Sequence, residues 1–328
     1  MAARYPFAGV APMDNLRGAA LMTLAMFGFA VEDMFIKLMA GSMPPWQIML
    51  FIGSGGAMIF ATVTLLKRQS LWSRAFLARP VLLRNLGEMI GTLGFVTALA
   101  LIPLSQASAV LQATPLVVTL GAAVFLREPV GWRRWSAVIV GFLGVLLVIR
   151  PGTDGFNILT LWAVLATLAL AGRDLATRSV PPATSSFQLS FLAFLSLVPT
   201  ALVLAAFSDV PFHAPRPREL GFIVCAVGVG ALAYYAIVAA MRIGEVSFVT
   251  PFRYSRLIFA MVIGVAIFAE RLDGPMLIGS AIIVGSGIYT VLRERKLARS
   301  ARQPLSPRLR ARYDAGESMF RDQQGPMI

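Results

Sequence analysis

The sequence predicts an all-α integral membrane protein of about ten transmembrane helices, organised as two inverted five-helix repeats. Three observations predict it. The 328-residue chain is 57% hydrophobic and only 14% charged, whereas soluble domains are about a quarter charged. It contains the charge-free runs WSAVIVGFLGVLLVI (135–149), GFIVCAVGVGALAYYAIVAA (221–240) and PMLIGSAIIVGSGIYTVL (275–292), and a helix crosses a bilayer in about 20 apolar residues. Segments of the first half also recur in the second, about 141 positions later. The every-second-residue alternation of an outer-membrane barrel is not seen.

The first span is read over 16–37. Its apolar part, Gly18 to Val31, has the length of a secretory signal core. The Glu-Asp-Met-Phe-Ile-Lys that follows lacks the small residues of a cleavage site, so the segment is read as a retained helix. Glu32, Asp33 and Lys37 lie near its end. Asp33 and Lys37 are four apart with the acid first, the favourable order for a helix pair, and a cation suits a helix C-terminus. They are expected to form a helix-end ion pair, read either as an anchor that snorkels to the interface or as a gate, and Glu32 is a proton-coupling candidate. The second span, 45–66, follows Pro44-Pro45 and carries Gly53, Gly55 and Gly56, the small residues of close helix packing. The third, 80–101, holds Arg84 and Glu88, again four apart; Glu88 falls near mid-membrane and is a second coupling candidate. The fourth, 105–126, is interrupted at Gln112, Thr114 and Pro115, because proline removes a backbone donor. The fifth, 132–149, ends at Arg150-Pro-Gly.

The sixth span, 157–178, ends with Asp174 and Arg178, a second expected gate pair. The seventh and eighth cover 186–207 and 219–241. The ninth, 246–269, opens with VTPFRYSR (249–256) and is interrupted like the fourth; the tenth covers 274–292. Interrupted spans in corresponding places of two halves point to a transporter's binding site. Gln112, Thr114, Arg253, Tyr254 and Arg256 are therefore the substrate-binding candidates. The tail, 293–328, is basic and then polar, and is expected to be a disordered cytoplasmic segment serving as a topology signal and spacer, with contact to anionic lipid as the other reading.

The basic residues orient the chain. With the N-terminus in the cytoplasm, Lys67, Arg68, Arg74, Arg79, Arg127, Arg133 and Arg134 fall inside, and the outer connections 38–44 and 102–104 carry none. In the second half Arg178 and Arg242 lie inside, while Arg216, Arg218 and Arg271 lie outside. An even number of spans returns the basic tail to the cytoplasm, so both termini are expected there.

Asp33 and Asp174, Lys37 and Arg178, and Gln47 and Gln188 are each 141 apart. Glu128 and Glu270 are 142 apart, and Thr114-Pro115 answers Thr250-Pro251 at 136. Matches in one order at nearly one offset indicate an internal repeat: 16–150 and 157–292, five spans each. Five is odd, so the second copy enters the membrane inverted, a plan common to secondary transporters. Residues 103–152 (PLSQASAVLQATPLVVTLGAAVFLREPVGWRRWSAVIVGFLGVLLVIRPG) and 246–289 (VSFVTPFRYSRLIFAMVIGVAIFAERLDGPMLIGSAIIVGSGIY) resemble the drug/metabolite transporter superfamily, in its ten-span branch with two EamA-type repeats. The likeness extends to about Leu292, and the D-x-x-x-K pattern of the first span is also similar to riboflavin-transporter-like members. The resemblance implies two five-helix halves around a central cavity in the bacterial inner membrane. Its members move amino acids, nucleotides, vitamins and drugs, and most are taken to export metabolites.

What remains narrows the chemistry. One cysteine, Cys225, and one histidine, His213, leave almost no material for a metal site or a His-based triad, so no enzyme, metal or cofactor is expected. No G-x-x-x-x-G-K-[ST] loop is present. The charge of +13 follows the loops and the tail rather than a nucleic-acid-binding surface. The expected partners are a small-molecule substrate and the lipid bilayer, with room for a homodimer. The leading expectation is a secondary transporter exporting an anionic or zwitterionic metabolite by alternating access. Vitamin uptake of the riboflavin type is the alternative, and a non-transporting regulatory or assembly protein is the reading from another class.

Overall fold

The computed structural model describes residues 12–301, apart from 126, 128–130, 154, 182–183 and 244–245. The described residues form helices and connections without a strand. In order these are α1 (Pro12–Ala40), α2 (Pro45–Leu66), α3 (Arg79–Leu101), α4 (Leu104–Leu111), α5 (Thr114–Phe125), α6 (Trp132–Ile149), α7 (Leu161–Thr177), α8 (Ser186–Ala206), α9 (Pro217–Ile243), α10 (Val246–Val249), α11 (Ser255–Phe268) and α12 (Gly274–Ala301). The bundle lies in one compact unit, Met1–Val291. Of the second, Leu292–Ile328, the described part is the end of α12. The expected disorder from 293 is corrected for the described part, since α12 continues through Ala301; 302–328 lies outside the described residues.

Eight helical stretches are long and apolar enough to cross a membrane, and a shorter one covers Trp135–Ile149. α3 fails that measure because Arg84, Asn85 and Glu88 interrupt it. With α3 counted, the ten expected spans are present. The two interrupted spans are broken as expected. Gln112 and Ala113 turn between α4 and α5, so Pro115 enters α5 in its first turn, where its missing N–H costs little. In the other half Thr250–Tyr254 forms a 3-10 turn between α10 and α11.

The inversion is visible in the packing. α2 and α8 correspond in the repeat. Gly53 of α2 lies against Leu197 and Phe194 of α8, and Gly56 against the Phe194 ring, so the two helices run antiparallel. α6 and α12 also correspond: Gly141 meets Ser286, and Gly144 meets Gly279 and Ile282, again antiparallel. The remaining large interfaces exchange partners between the copies. α1 packs on α9 where Gly28 faces Ala233 and Gly230 faces Glu32; α7 packs on α3 where Gly87 faces Ala169 and Arg173 and Gly94 faces Trp162 and Ala166. Lipid offers helices little hydrophobic reason to associate, so close approach over small residues supplies the contact. The buried core runs through Met39, Ile48, Met49, Leu99, Leu104, Leu116, Leu257 and Ile283, drawn from both halves.

Candidate functional site

The two broken spans touch. Gln112, in the turn after α4, donates from Nε2 to the Arg253 carbonyl at 3.1 Å. Within this junction Thr114 donates its hydroxyl to Leu111 O at 2.6 Å, closing its own break. Tyr254 is 3% exposed, and its phenol is pressed against Gly287 of α12 with no hydrogen-bond partner among the described residues. Thr114 and Tyr254 thus serve the junction, and Gln112, Arg253 and Arg256 remain beside it.

From the first turn of α11, Arg256 reaches α1. Its Nε donates to Asp33 Oδ2 at 3.1 Å and its Nη2 to both carboxylate oxygens, at 2.8 and 2.7 Å. The guanidinium carbon lies 5.3 Å from the Phe29 ring and 5.4 Å from the Phe95 ring. The expected Asp33–Lys37 pair is corrected here. Lys37 instead donates to the Leu99 and Ile102 carbonyls, at 3.1 and 2.6 Å, and sits 5.5 Å from the Phe268 ring. The planar fork of an arginine matches a carboxylate better than an ammonium does, while an ammonium suits the free carbonyls at a helix end. Glu32, the preceding residue, faces Gly230 of α9; hydrogen bonds and ion pairs among the described residues give it no partner.

A second charged cluster lies toward the other end of the bundle, between α3 and α7. Arg173 donates from Nη1 to both oxygens of Glu88, at 3.2 and 3.3 Å, and from Nε to Asp174 at 2.9 Å. Arg84 approaches Glu88 at 3.9 Å and donates to the Leu189 carbonyl of α8 at 3.2 Å. Arg173 was missed in the sequence reading. The signal was available: it stands 141 positions from Glu32, where the repeat replaces an acid with a base. Asp174 was expected to pair with Arg178, and the structure engages it with Arg173. Arg178 caps the end of α7, its N–H donating to Leu175 O at 3.2 Å.

The halves also clasp reciprocally. Gln47, at the start of α2, donates to the His213 carbonyl in the α8–α9 connection at 2.7 Å. Gln188, at the start of α8, donates to the Ser70 carbonyl in the α2–α3 connection at 2.8 Å. Because α2 and α8 are antiparallel, these bonds lie at opposite ends of the bundle. Glu270 is another residue the sequence reading used only as a repeat marker. It accepts from Leu104 N at 2.5 Å, Ser105 N at 3.0 Å and Ser105 Oγ at 2.5 Å, capping α4 from the end of α11. Its counterpart, Glu128, lies outside the described residues.

An apolar groove of about 540 Å³ lies along α1 and α11, lined by Leu16, Thr23, Phe27, Phe252 and Phe259 among others. Its single hydroxyl, on Thr23, donates to Ala19 O at 2.9 Å, so the groove has no side-chain donor left to orient a polar solute.

Comparison with known proteins agrees with this architecture. The chain is 32% identical over 237 residues to a riboflavin transporter of Vibrio cholerae, covering 72% of this chain and 78% of that one. It is 24% identical to an S-adenosylmethionine uptake transporter of Rickettsia felis over 86% and 94% of the two chains. It is 25% identical to a pseudopaline exporter of Pseudomonas aeruginosa over 83% and 95%. A solved crystal structure superposes with a TM-score of 0.53 at 19% identity, covering 82% of this chain and 98% of the other, which speaks to the fold alone. The EamA-like transporter family model matches twice, over 16–150 and 157–292, and with two such repeats folded as one helical bundle, the chain belongs to the EamA-like transporter family.

Proposed function

We propose that this chain is a secondary transporter carrying a small organic solute across the bacterial inner membrane by alternating access, with both termini in the cytoplasm. The observation that carries the reading is the reciprocal clasp. Equivalent glutamines of inverted halves each hold the other half's connection, one at each end of the bundle. Inverted repeats can exchange roles, so releasing one clasp while keeping the other opens one face at a time. The Asp33–Arg256 and Glu88–Arg173 pairs act at the same two ends as gates.

The deep arginines favour a zwitterionic or neutral cargo over a strongly anionic one, because Arg256, Arg173 and Arg84 each already face a carboxylate. Of the two coupling candidates, Glu88 is occupied by two guanidinium groups; Glu32 is the acid left for a proton. Uptake is the direction we favour, on the names of the riboflavin and S-adenosylmethionine relatives; export is the second reading, on the pseudopaline relative.

The test is transport by the full chain in proteoliposomes, with riboflavin and S-adenosylmethionine as first solutes and a metabolite extract as competitor. Saturable movement of at least one solute, above empty vesicles, is expected. An imposed pH gradient should drive it in the parent protein and leave a Glu32→Gln variant unaffected. Absence of saturable movement across solutes and extract fractions would overturn the reading.

A further inference from the structure

Gln112 and Arg253 are repeat equivalents, 253 − 112 = 141, and they touch: Gln112 Nε2 donates to Arg253 O at 3.1 Å. A residue that meets its own counterpart lies on the axis relating the two copies. Gly53 and Phe194 repeat the relation, 194 − 53 = 141, and a Cβ on Gly53 would lie 3.0 Å from Phe194 O. In an inverted repeat that axis lies in the membrane plane. Both contacts therefore stand at mid-depth, in keeping with the place of Gly53 near the middle of α2. The duplicated chain presents an amide on one side of its centre and a guanidinium on the other.

That guanidinium is uncompensated. Arg84, Arg173 and Arg256 each face a carboxylate, and Lys37 is spent on two carbonyls. The Arg253 side chain makes no hydrogen bond or ion pair among the described residues. It is half-buried, and none of its nitrogens is among the sealed, unsatisfied polar atoms, so all three are open to a group the size of water. Its direction follows from its neighbours. Arg253 stands three residues before Arg256 and so on the same face, the one from which Arg256 reaches Asp33 of α1. Phe252 lines the apolar groove and Tyr254 is pressed on Gly287; at three residues per turn, Arg253 points along neither direction. An unpaired cation at this depth is costly unless an anion joins it. A carboxylate suits the fork of donors, and its oxygens need no more room than water does. A doubly charged phosphate would leave an excess negative charge at mid-membrane, so one carboxylate is the match.

We propose that Arg253, on the symmetry axis of the repeats, receives a single carboxylate of the cargo. This narrows the proposed cargo to a solute with one carboxylate, a zwitterion ahead of a neutral compound. The use of the site rests on the transport reading; its existence is tested by binding alone.

The experiment uses the full chain in phosphatidylcholine nanodiscs. The probes are S-adenosylmethionine and leucine, each matched with a counterpart that lacks the carboxylate, decarboxylated S-adenosylmethionine and leucinamide. At least one carboxylate probe should bind saturably, and about tenfold more tightly than its counterpart. Arg253→Gln, which restores the amide of the other copy, should bring that pair to within about twofold, and Arg253→Lys should keep most of the preference. Without solute, Arg253→Gln should melt no lower than the parent, because it removes an unpaired charge. Adding phosphatidylglycerol to the nanodiscs separates a solute carboxylate from a lipid headgroup, and the preference should survive it. Failure of both carboxylate probes to bind, equal binding of the counterparts, a preference retained by Arg253→Gln, a lower melting temperature for that variant, or loss of the preference in phosphatidylglycerol would overturn the proposal. A bound probe that vesicles do not transport would instead count against the transport reading and leave the site standing.

Discussion

Arginine at 256 and lysine at 37 follow from what each touches. Arg256 grips both oxygens of a buried carboxylate, which a point charge cannot do. Lys37 gathers the carbonyls at the end of α3. The sequence made Asp33 and Lys37 conspicuous, because acids and bases are costly at membrane depth. It paired them with each other because only local spacing was visible; Asp33's partner is 223 positions away. The repeat, by contrast, did mark Gln47 and Gln188 as equivalent before either had a partner. Outside the spans, Arg150 and Asp273 form an ion pair joining the end of α6 to the start of α12. The hydrogen bond from Arg150 holds the Asp273 carboxyl below the usual carboxylate range. A depressed folded-state pKa stabilises above the unfolded value, about 3.9, and loses that contribution as pH falls through the folded value. Asp273→Asn should therefore lower stability at neutral pH by less than about 1 kcal/mol, since the pair is partly exposed. Thermal melts of the two proteins should converge as pH falls through the depressed value of the folded-state carboxyl.

Helix boundaries were the most legible feature of the chain. α2 and α6 begin and end where hydropathy and flanking residues place them, and the Thr-Pro dipeptides mark both breaks. What local sequence could not show is how a break is stabilised from a distance. α4 starts under the carboxylate of Glu270, which is presented by Ala269 in the left-handed region at φ 50°. Gly264 leaves the space for it: a Cβ there would meet both the Glu270 carboxylate and Ser105 Oγ. Gly264→Ala should displace this cap and destabilise the protein by roughly 1–2 kcal/mol, read as a lower melting temperature in detergent. Glu270→Gln, which keeps the shape and loses the charge, should show part of that loss. At the α6–α12 crossing, a Cβ on Gly144 would lie 2.8 Å from the Gly279 carbonyl oxygen and 3.1 Å from Ile282 Cβ. Backbone cannot yield as a side-chain tip can, so Gly144→Val should reduce folded yield more than Val substitution at Gly285, where nothing lies within 4 Å.

At the scale of the whole molecule, inversion makes paired predictions. Reporter fusions at Ser42 and Ser185 should report opposite faces of the membrane; the same face for both would break the inverted reading. On a background with Cys225 replaced, Gln47→Leu and Gln188→Leu should shift cysteine labelling of the junction in opposite senses, one admitting external reagent and the other cytoplasmic reagent. A shift in one sense for both would remove the clasps from the mechanism. The repeat was readable because a duplicated chain keeps its landmarks in order. The chemistry between the copies was less so, because the copies have diverged most where they differ in charge. Glu32 in one half answers Arg173 in the other, an acid against Gly230 and a base against Gly87. A carrier built from truly equal halves would behave identically if inserted upside down. On the proposed reading the halves of this one are unequal, so its inward-open and outward-open states would differ in energy. Voltage or acidity on one side alone should therefore alter turnover in one sense of travel more than in the other.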